Sequence, residues 1–310
     1  MAIQVFVDGA AGTTGLEIVA RLEAHPEFEP LVLDDARRKD AGARREALND
    51  TPFAVLCLPD DAAREAVALV DPASGTRIVD ASSAHRVADG WTYGFPELTG
   101  REAIAGASRV SNPGCYPTGF LALVAPLVRA GLLPADWPFT VNAVSGFSGG
   151  GKALIERFEA EPDIAFRTYA LSLDHKHRPE MKLHAGLEHG VLFAPSVVPA
   201  VRGMLVEVPL HLGAMATNPT ARSLHAELEA FYADAPVVTV TSGEAPAEML
   251  LNRDAAPWDG MELSVFGNEG GWNARLVARL DNLGKGASGA AIQNLNLMAG
   301  FPETASLHLR

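Results

Sequence analysis

The chain has 310 residues, 48% of them hydrophobic and 20% charged, which is typical of a globular protein long enough for two hydrophobic cores. A formal net charge of −13 disfavours nucleic acid as a partner, because phosphate binding needs clustered lysine and arginine. No apolar run is long enough to cross a bilayer and no secretory signal pattern precedes the first strand, so we predict no membrane partner and a cytoplasmic location.

The first third of the chain alternates short apolar strands with helices. Strands are predicted at Ile3–Val7, Pro30–Leu33, Phe53–Leu58 and Arg77–Asp80, and helices at Thr14–Glu23 and Asp61–Val70. Continuous apolar strands that alternate with helices predict a parallel sheet covered on both faces.

The remainder of the chain has a different pattern. A helix at about Pro117–Ala130 is followed by predicted strands at Phe139–Ser145, Val191–Pro199, Met204–His211, Pro236–Val240, Glu262–Gly267 and Asn273–Leu280, with further helices at Thr220–Tyr232 and Ala287–Ala299. The last two strands flank a short Asn- and Gly-containing connection, which predicts an antiparallel hairpin. This pattern favours a second domain built on a mixed or antiparallel sheet.

A glycine-rich turn joins the first strand to the first helix. Its sequence is Gly9-Ala10-Ala11-Gly12-Thr13-Thr14-Gly15. Gly9 permits a tight turn, Gly12 allows the backbone to approach a pyrophosphate, and Gly15 allows close packing of helix and strand. The helix N-terminus presents free N–H groups to the anion. An unrelated α/β protein can also carry such a turn, but its position at the first strand–helix junction favours a dinucleotide site.

Charged residues follow the second predicted strand, in the run Asp34-Asp35-Ala36-Arg37-Arg38-Lys39. An acidic residue at this point typically holds the ribose 2′-OH of NAD, whereas arginine accommodates the 2′-phosphate of NADP. The alternative is a solvated surface run. Because guanidinium is the better phosphate ligand, Arg37 and Arg38 favour NADP.

The two cysteines lie in very different surroundings. Cys57 lies in an apolar run and is interpreted as a buried core thiol. Cys115 lies in the turn Ser111-Asn112-Pro113-Gly114-Cys115-Tyr116-Pro117-Thr118, where Pro117 suits the first turn of a helix. A helix N-terminus favours thiolate over thiol, and its N–H groups can hold an oxyanion. Cys115 is therefore the predicted nucleophile, with a turn-filling residue as the alternative.

A histidine-rich segment offers a base for that nucleophile. It reads Asp174-His175-Lys176-His177-Arg178-Pro179-Glu180, and Glu180 lies three residues after His177, where it can orient the ring as in a catalytic triad. A zinc site formed with His184 is disfavoured because no second cluster supplies a further ligand with zinc-site spacing. A surface histidine pair without a role is the remaining alternative.

A second glycine-rich loop, from Ser145 to Lys152, follows a predicted strand. It lacks the spacing of a P-loop. We interpret it as an anion or substrate loop with Lys152 as a candidate phosphate contact, and a flexible interdomain loop is equally compatible.

These motifs together resemble the short form of the N-acetyl-gamma-glutamyl-phosphate reductase family, within the aspartate-semialdehyde dehydrogenase-like superfamily. The resemblance extends over essentially the whole chain. Besides the two glycine-rich segments, the cysteine turn and the histidine segment, it rests on Leu56-Cys57-Leu58-Pro59-Asp60, Asp80-Ala81-Ser82-Ser83-Ala84-His85-Arg86 and Trp91-Thr92-Tyr93-Gly94-Phe95-Pro96-Glu97-Leu98.

The resemblance implies a fold and an activity. The fold is α/β, with a Rossmann-type parallel-sheet NADP-binding domain at 1–114, completed by a C-terminal helix within 285–310, and an α+β catalytic and dimerisation domain with a mixed sheet at 115–284. The activity is reduction of N-acetyl-L-glutamyl 5-phosphate by NADPH in arginine biosynthesis. The expected assembly is a homodimer or homotetramer.

The resemblance also implies roles for individual residues. Cys115 is the nucleophile, and the base is His177 or His175, with His177 favoured because Glu180 supports it. The expected cofactor contacts are Gly9, Gly12, Thr13, Thr14, Gly15, Arg37, Arg38, Pro59, Ser82 and Asn294. The expected substrate contacts are Ser145, Gly146, Lys152 and Arg202, the last for the α-carboxylate. No metal is expected.

Two other functions stay open at this point. One is a sister reductase such as an aspartate-semialdehyde dehydrogenase, which differs in the acyl phosphate that it reduces. The other is a non-catalytic NADP-sensing module, which the intact Cys115 turn and histidine segment disfavour.

Overall fold

The computed structural model describes residues 2–242 and 246–310. The strands, numbered along the chain, are β1 Ile3–Asp8, β2 Phe28–Leu31, β3 Phe53–Leu56, β4 Arg77–Asp80, β5 Thr92–Tyr93, β6 Arg109–Ser111, β7 Thr140–Gly146, β8 Arg167–Thr168, β9 Leu192–Val198, β10 Met204–His211, β11 Val238–Val240, β12 Met261–Gly267 and β13 Asn273–Leu280. The helices are α1 Thr13–Glu23, α2 Ala41–Asp50, α3 Asp60–Ala68, α4 Pro96–Thr99, α5 Arg101–Gly106, α6 Cys115–Arg129, α7 Gly151–Ala160, α8 His177–Ala185, α9 Ala221–Phe231 and α10 Gly289–Ala299.

The chain divides into two compact units. Unit 1 comprises Met1–Gly114 and Ala287–Leu307, and unit 2 comprises Cys115–Gly286 and His308–Arg310. None of the helices in the described residues is long and apolar enough to span a membrane.

Unit 1 is built on a six-stranded sheet in the order β2-β1-β3-β4-β6-β5, and each of its pairings is parallel. Side chains alternate across the sheet, so Val5 and Val7 pack on one face with α1 and α10, while Phe6 packs on the other with Leu48. A parallel sheet buried on both faces confirms the predicted Rossmann-type class. Because the strands are parallel, their carboxyl ends lie at one edge, where ligands bind in such folds.

In unit 1 the bounds of one strand were wrong, and five elements, α2, α4, α5, β5 and β6, were not predicted. The second strand is Phe28–Leu31 rather than Pro30–Leu33, and Pro30 is tolerated within it because β2 is an edge strand. Helix α2 was not predicted, because it has few apolar positions and only Ala43, Ala47 and Leu48 are buried. Asp40, whose side chain accepts a hydrogen bond from the Ala43 N–H, is the N-cap signal that marked its start.

Unit 2 is built on a mixed seven-stranded sheet in the order β11-β12-β13-β10-β7-β9-β8. Strands β7 and β9 are parallel, and β12 and β13 form the predicted antiparallel hairpin. The mixed sheet confirms the predicted class of the second domain. Helix α6, buried from Tyr116 to Leu127, packs on this sheet.

Two helices of unit 2 were not predicted. The loop proposed from Ser145 to Lys152 is instead the end of β7, a 3₁₀ turn at Phe147–Gly150 and the first turn of α7. Helix α8 begins at His177 and contains Pro179 in its first turn, where the missing N–H is tolerated. Both helices are short and bury few apolar side chains, Phe158 in α7 and Met181 and Ala185 in α8, so little in the sequence marked them.

Candidate active site

The glycine turn of unit 1 lies at the carboxyl edge of the sheet, between β1 and α1. Gly9 has φ of 89°, and a Cβ there would collide with the carbonyl of Cys57. Gly15 packs against the Gly9 carbonyl with no room for a Cβ. Gly12 caps α1, and Thr13 and Thr14 form the first residues of the helix. The turn therefore brings free helical N–H groups to the sheet edge, which suits a phosphate anion.

A cavity of about 520 Å³ opens beside this turn. Its apolar wall includes Leu33 and Leu58, and its charged wall includes Asp35, Arg38 and Lys39. An apolar slot beside a cationic wall is a suitable shape for a nucleotide.

Only one of the two predicted arginines lines that cavity in the described part of the chain. Arg38 lines it and pairs with Asp35, with Nε 2.7 Å from Oδ1. Arg37 instead donates to Glu46 at 3.1 Å, and its side chain is 53% exposed. The sequence analysis assigned Arg37 and Arg38 the same role, but in the structure only Arg38 lines the cavity.

A buried ion pair in the same cavity was missed from the sequence. Arg44 of α2 donates through Nε and Nη2 to Oδ2 of Asp8, at 3.0 and 2.8 Å. Burial raises the pKa of Asp8 from its ordinary value even though Arg44 opposes the shift. Since α2 was not predicted, no sequence signal connected Arg44 to the end of β1.

Pro59 and Ser82 lie at the same edge of the sheet, after β3 and β4. Pro59 is the N-cap residue of α3. Ser82 is buried and donates from Oγ and backbone N to the two oxygens of Asp80, at 2.7 and 2.9 Å. His85 Nδ1 lies 2.6 Å from Asp80 Oδ2, and its ring stacks on Trp91 at 4.2 Å. The carboxylate of Asp80 thus fixes the turn that carries Ser82.

Asn294, on α10, is fully buried at the centre of unit 1. Its Nδ2 donates to the carbonyl of Gly94 at 2.9 Å and to Asn112 Oδ1 at 3.1 Å. Within residues 2–242 and 246–310, its Oδ1 has no hydrogen-bond donor. A buried acceptor of this kind needs a donor, so the residue fits the amide of a nicotinamide cofactor.

Cys115 of unit 2 is the first residue of α6. It lines a cavity of about 350 Å³ together with the predicted substrate residues Ser145 and Gly146. Position at a helix N-terminus favours the thiolate and supplies backbone donors for an oxyanion. Cys57 is the contrasting thiol, because burial raises its pKa to about 12 and keeps it protonated.

Two tyrosines in the Cys115 cavity were not predicted. Tyr116 donates to the carbonyl of Ser196 at 3.2 Å, and Tyr169 donates to the Tyr116 hydroxyl at 3.4 Å. Burial raises the pKa of Tyr116 well above its ordinary value and that of Tyr169 to about 12. Both hydroxyls are therefore neutral donors at physiological pH.

Arg167 is the cationic residue that lines the same cavity in the described part of the chain. Its guanidinium carbon lies 4.5 Å from the centroid of the Tyr169 ring. Arg167 was not predicted as a site residue, because it lies in a two-residue edge strand, with Tyr169 in the turn after it. Ala170 and Leu173 in that turn have left-handed φ values of 54° and 62°, a strained conformation that is typical of functional loops.

The two histidines pack against these tyrosines. The His175 ring lies 5.7 Å from the Tyr169 ring, and the His177 ring lies 5.9 Å from the Tyr116 ring. His177 N–H donates to His175 Nδ1 at 3.2 Å, and burial, assisted by Lys176, lowers the pKa of His175 to about 4. His177 and Glu180 are both buried on α8.

The structure separates two predicted substrate residues from Cys115. Lys152 is 79% exposed on α7 and lies 3.8 Å from Glu156. Arg202 pairs with Asp281 at 3.0 Å and borders a different cavity, of about 80 Å³, beside Trp258. Among the described residues, neither side chain lines the Cys115 cavity. The described residues also contain no group of three His, Cys, Asp or Glu side chains arranged to hold a metal ion.

Family comparisons match both parts of the chain. Residues 40–107 match the family described as semialdehyde dehydrogenase, NAD binding domain, and residues 115–282 match semialdehyde dehydrogenase, dimerisation domain. The fold and the cysteine turn thus define a semialdehyde dehydrogenase-type oxidoreductase.

Sequence relatives identify the family more closely. The chain is 47% identical to N-acetyl-gamma-glutamyl-phosphate reductase 2 of Nostoc sp. over 98% of its length and 99% of that protein. It is 48% identical to the N-acetyl-gamma-glutamyl-phosphate reductase of Brucella suis over 96% of its length and 99% of that protein. The chain belongs to the N-acetyl-gamma-glutamyl-phosphate reductase family.

Solved structures support the fold. Aspartate semialdehyde dehydrogenase II of Vibrio cholerae, complexed with ASA, aligns with a TM-score of 0.69 at 16% identity, covering 97% of this chain and 99% of that one. Aspartate semialdehyde dehydrogenase of Candida albicans, solved with NADP, aligns with a TM-score of 0.67 at 15% identity, covering 99% of both chains. At these identities the likeness concerns the fold alone.

Proposed function

We propose that this protein reduces N-acetyl-L-glutamyl 5-phosphate with NADPH to N-acetyl-L-glutamate 5-semialdehyde and phosphate, a step of arginine biosynthesis. Relatives with this activity in their names match nearly the whole chain at 47–48% identity. The observation that carries the chemistry is Cys115 at the start of α6, facing a cavity with buried hydroxyls and one arginine.

Unit 1 is the proposed NADP-binding domain. The glycine turn, with Gly9, Gly12, Thr13, Thr14 and Gly15, would hold the pyrophosphate, and Arg38 would contact the 2′-phosphate. Pro59, Ser82 and Asn294 would complete the site, while the exposed Arg37 would contribute less. When bound, NADPH supplies the hydride for the reduction.

Unit 2 is the proposed catalytic and dimerisation domain. A histidine base takes the proton of the Cys115 thiol, and the thiolate attacks the acyl carbon. The C–S bond forms as the bond to the phosphate oxygen breaks, which leaves a thioester. After reduction, the C–S bond breaks, the aldehyde leaves, and the histidinium returns its proton to sulfur.

His177 is the proposed base. A group with a pKa of about 4, such as His175, is a weak proton acceptor at neutral pH. His175 accepts the backbone N–H of His177 and is proposed as its support. Glu180 lies on the same helix as His177 and is proposed to favour its charged form.

Arg167 is the proposed contact for a negatively charged group of the substrate. It is a cation in the Cys115 cavity, whereas Lys152 is exposed and Arg202 is already paired with Asp281. Ser145 and Gly146 would line the acyl chain. The neutral hydroxyls of Tyr116 and Tyr169 already donate within the protein, so they would line the site as uncharged polar groups.

A homodimer or homotetramer is the proposed assembly, supported by the match to a dimerisation domain. We also propose a cytoplasmic location. The mechanism needs a reduced Cys115 thiol, which a reducing compartment maintains, and neither Cys57 nor Cys115 forms a disulfide.

The direct test runs the reaction backwards. N-acetylglutamate semialdehyde, phosphate and NADP⁺ are mixed with the enzyme, and formation of NADPH is followed by absorbance. Aspartate semialdehyde is the matched comparison substrate. We expect turnover with the acetylated substrate at a kcat/KM at least about 100-fold higher, since the smaller amino acid lacks the acyl group and one methylene. A preference for aspartate semialdehyde would make the protein a sister reductase, and no turnover with either would favour a non-catalytic NADP-binding protein.

A further inference from the structure

Asn112, which follows β6, is hydrogen-bonded both to the segment just before α10 and to α10 itself. It is 1% exposed, and its Nδ2 donates to the carbonyl of Ala287 at 2.9 Å. Its Oδ1 accepts from Asn294 Nδ2, which also donates to the carbonyl of Gly94. Two side-chain amides are therefore linked in series between two backbone carbonyls.

This chain fixes which way each amide faces. A backbone carbonyl can only accept a hydrogen bond, so the amide next to it must present its NH₂ group. Ala287 thereby sets the orientation of Asn112, whose oxygen then faces Asn294. If Asn294 were turned over, its oxygen would face both the Gly94 carbonyl and Asn112 Oδ1, which are both acceptors.

The consequence lies at the other end of the Asn294 side chain. Its Oδ1 is directed away from both partners and, in the part of the chain that the structure describes, has no donor. Asn294 is fully buried and Gly94 has no space for a Cβ beside it, so the amide is held closely. The site is a preset acceptor that recognises an N–H group.

We infer that Asn112 is a positioning residue that orients Asn294 to accept from the carboxamide NH₂ of the cofactor's nicotinamide ring. The inference rests on the proposed nicotinamide cofactor. It explains how the site would distinguish the amide from the corresponding acid, because a carboxylate offers no hydrogen to Asn294 Oδ1.

The test compares the binding of NADP⁺ with that of its nicotinic acid analogue, which has a carboxylate in place of the carboxamide. Binding to the whole protein is measured by calorimetry, without turnover. We expect the wild type to bind NADP⁺ at least about tenfold more tightly, because the acid analogue leaves the buried Asn294 oxygen without a donor. In Asn112→Ala and in Asn294→Ala this ratio should fall toward one, and the double variant should lose no more than either single variant.

Two controls distinguish a loss of amide orientation from a general loss of folding or nucleotide binding. Binding of 2′,5′-ADP, which lacks the nicotinamide, should be unchanged in every variant. Asn49→Ala removes bonds to the Arg45 and Leu69 carbonyls of unit 1 and should keep the wild-type ratio. If Asn112→Ala does not bind 2′,5′-ADP, Asn112→Leu, which keeps a similar volume, replaces it with the same expectation.

Failure of this inference and failure of the proposed function would give different results. A wild-type ratio near one, or a wild-type ratio retained by the Asn112 variants, would overturn the inference and leave NADP binding intact. A wild type that binds neither NADP⁺ nor 2′,5′-ADP would overturn the cofactor assignment itself.

Discussion

The cavity beside the glycine turn and the cavity beside Cys115 differ in the charge that they present. The first is lined by Asp8, Asp35, Arg38, Lys39 and Arg44, and both of its carboxylates are paired with an arginine. The second contains hydroxyls and a thiol, with Arg167 as the cation among its described lining residues.

The two cavities therefore hold their ionisable groups in different ways. In the cavity beside the glycine turn Asp8 pairs with Arg44 and Asp35 pairs with Arg38, and arginine in such a wall suits recognition of a phosphorylated nucleotide. In unit 2 burial shifts the pKa values of Tyr116 and Tyr169 upward and that of His175 downward, so each is neutral at physiological pH. These three side chains therefore do not exchange protons at physiological pH. The proposed proton transfer in unit 2 is between Cys115 and His177.

Replacement of the thiol should give the largest effect. Cys115→Ala removes the nucleophile of the proposed thioester, and we expect kcat to fall by roughly three or more powers of ten. NADPH binding, measured by fluorescence titration, should be unchanged because its proposed site lies in unit 1. Cys57→Ala is the control, and near-wild-type kcat in Cys115→Ala would refute the covalent mechanism.

Removal of the base should have the next largest effect. His177→Asn should lower kcat by about 10²–10⁴, the usual contribution of general acid–base catalysis, and His175→Asn should lower it less. The pH dependence of kcat/KM tests the same assignment independently. If His175 were the base, the acidic limb of kcat/KM would lie near pH 4, where that residue gains its proton. We expect the acidic limb to be retained in His175→Asn, and a greater loss of kcat in the His175 variant than in the His177 variant would reverse the assignment.

Replacement of the arginine in the charged cavity should have a smaller effect, limited to the preference for NADPH over NADH. Arg38→Ser should reduce the preference for NADPH over NADH by about 10- to 150-fold, because one charge-assisted hydrogen bond is worth roughly 1.5–3 kcal/mol. Arg37→Ser is the matched control, since that side chain is exposed and pairs with Glu46. Dissociation constants for both cofactors provide the measurement. A larger change in the Arg37 variant would place the 2′-phosphate outside the cavity.

A buried histidine of unit 1 should give the smallest effect. His25 has both ring nitrogens occupied, since Nδ1 accepts from the Glu27 N–H and Nε2 lies 3.1 Å from Asn296 Oδ1. Burial lowers its pKa, so the unfolded chain binds the proton more readily than the folded protein. Stability should therefore fall as pH drops below about 6.5, by no more than about 1.4 kcal/mol per pH unit from this group.

Urea denaturation between pH 5.5 and 7.5 measures this dependence. His25→Gln, which keeps a side chain able to donate and accept, should have a flatter profile than the wild type. An equal slope in both proteins would assign the acid sensitivity to other groups.

The sequence predicted the fold class because both sheets leave strong local patterns. The strands of unit 1 are continuous apolar runs, and the β12–β13 hairpin has a recognisable connection. The boundaries of β2 and the existence of α2, α7 and α8 were harder to predict, because an edge strand and short helices bury few apolar side chains.

The site was predicted in part for a similar reason. Cys115, Ser145 and Gly146 line one cavity, and the turn signals around them are local in the sequence. Arg44 contacts Asp8 across 36 positions, and Asn112 contacts Asn294 across 182. Such pairs depend on tertiary packing, which no local pattern encodes. The neutral state of His175 has the same origin, since burial, not residue type, lowers its pKa.

The central claim, an acyl group held on Cys115 until phosphate releases it, can be tested in a single run. The enzyme is mixed with N-acetylglutamate semialdehyde and NADP⁺ in the absence of phosphate and arsenate, and NADPH formation is followed by absorbance. The account predicts one burst of about one equivalent per active site, followed by continuous turnover when phosphate is added. Continuous turnover without phosphate would mean that water releases the acyl group, and would contradict the account.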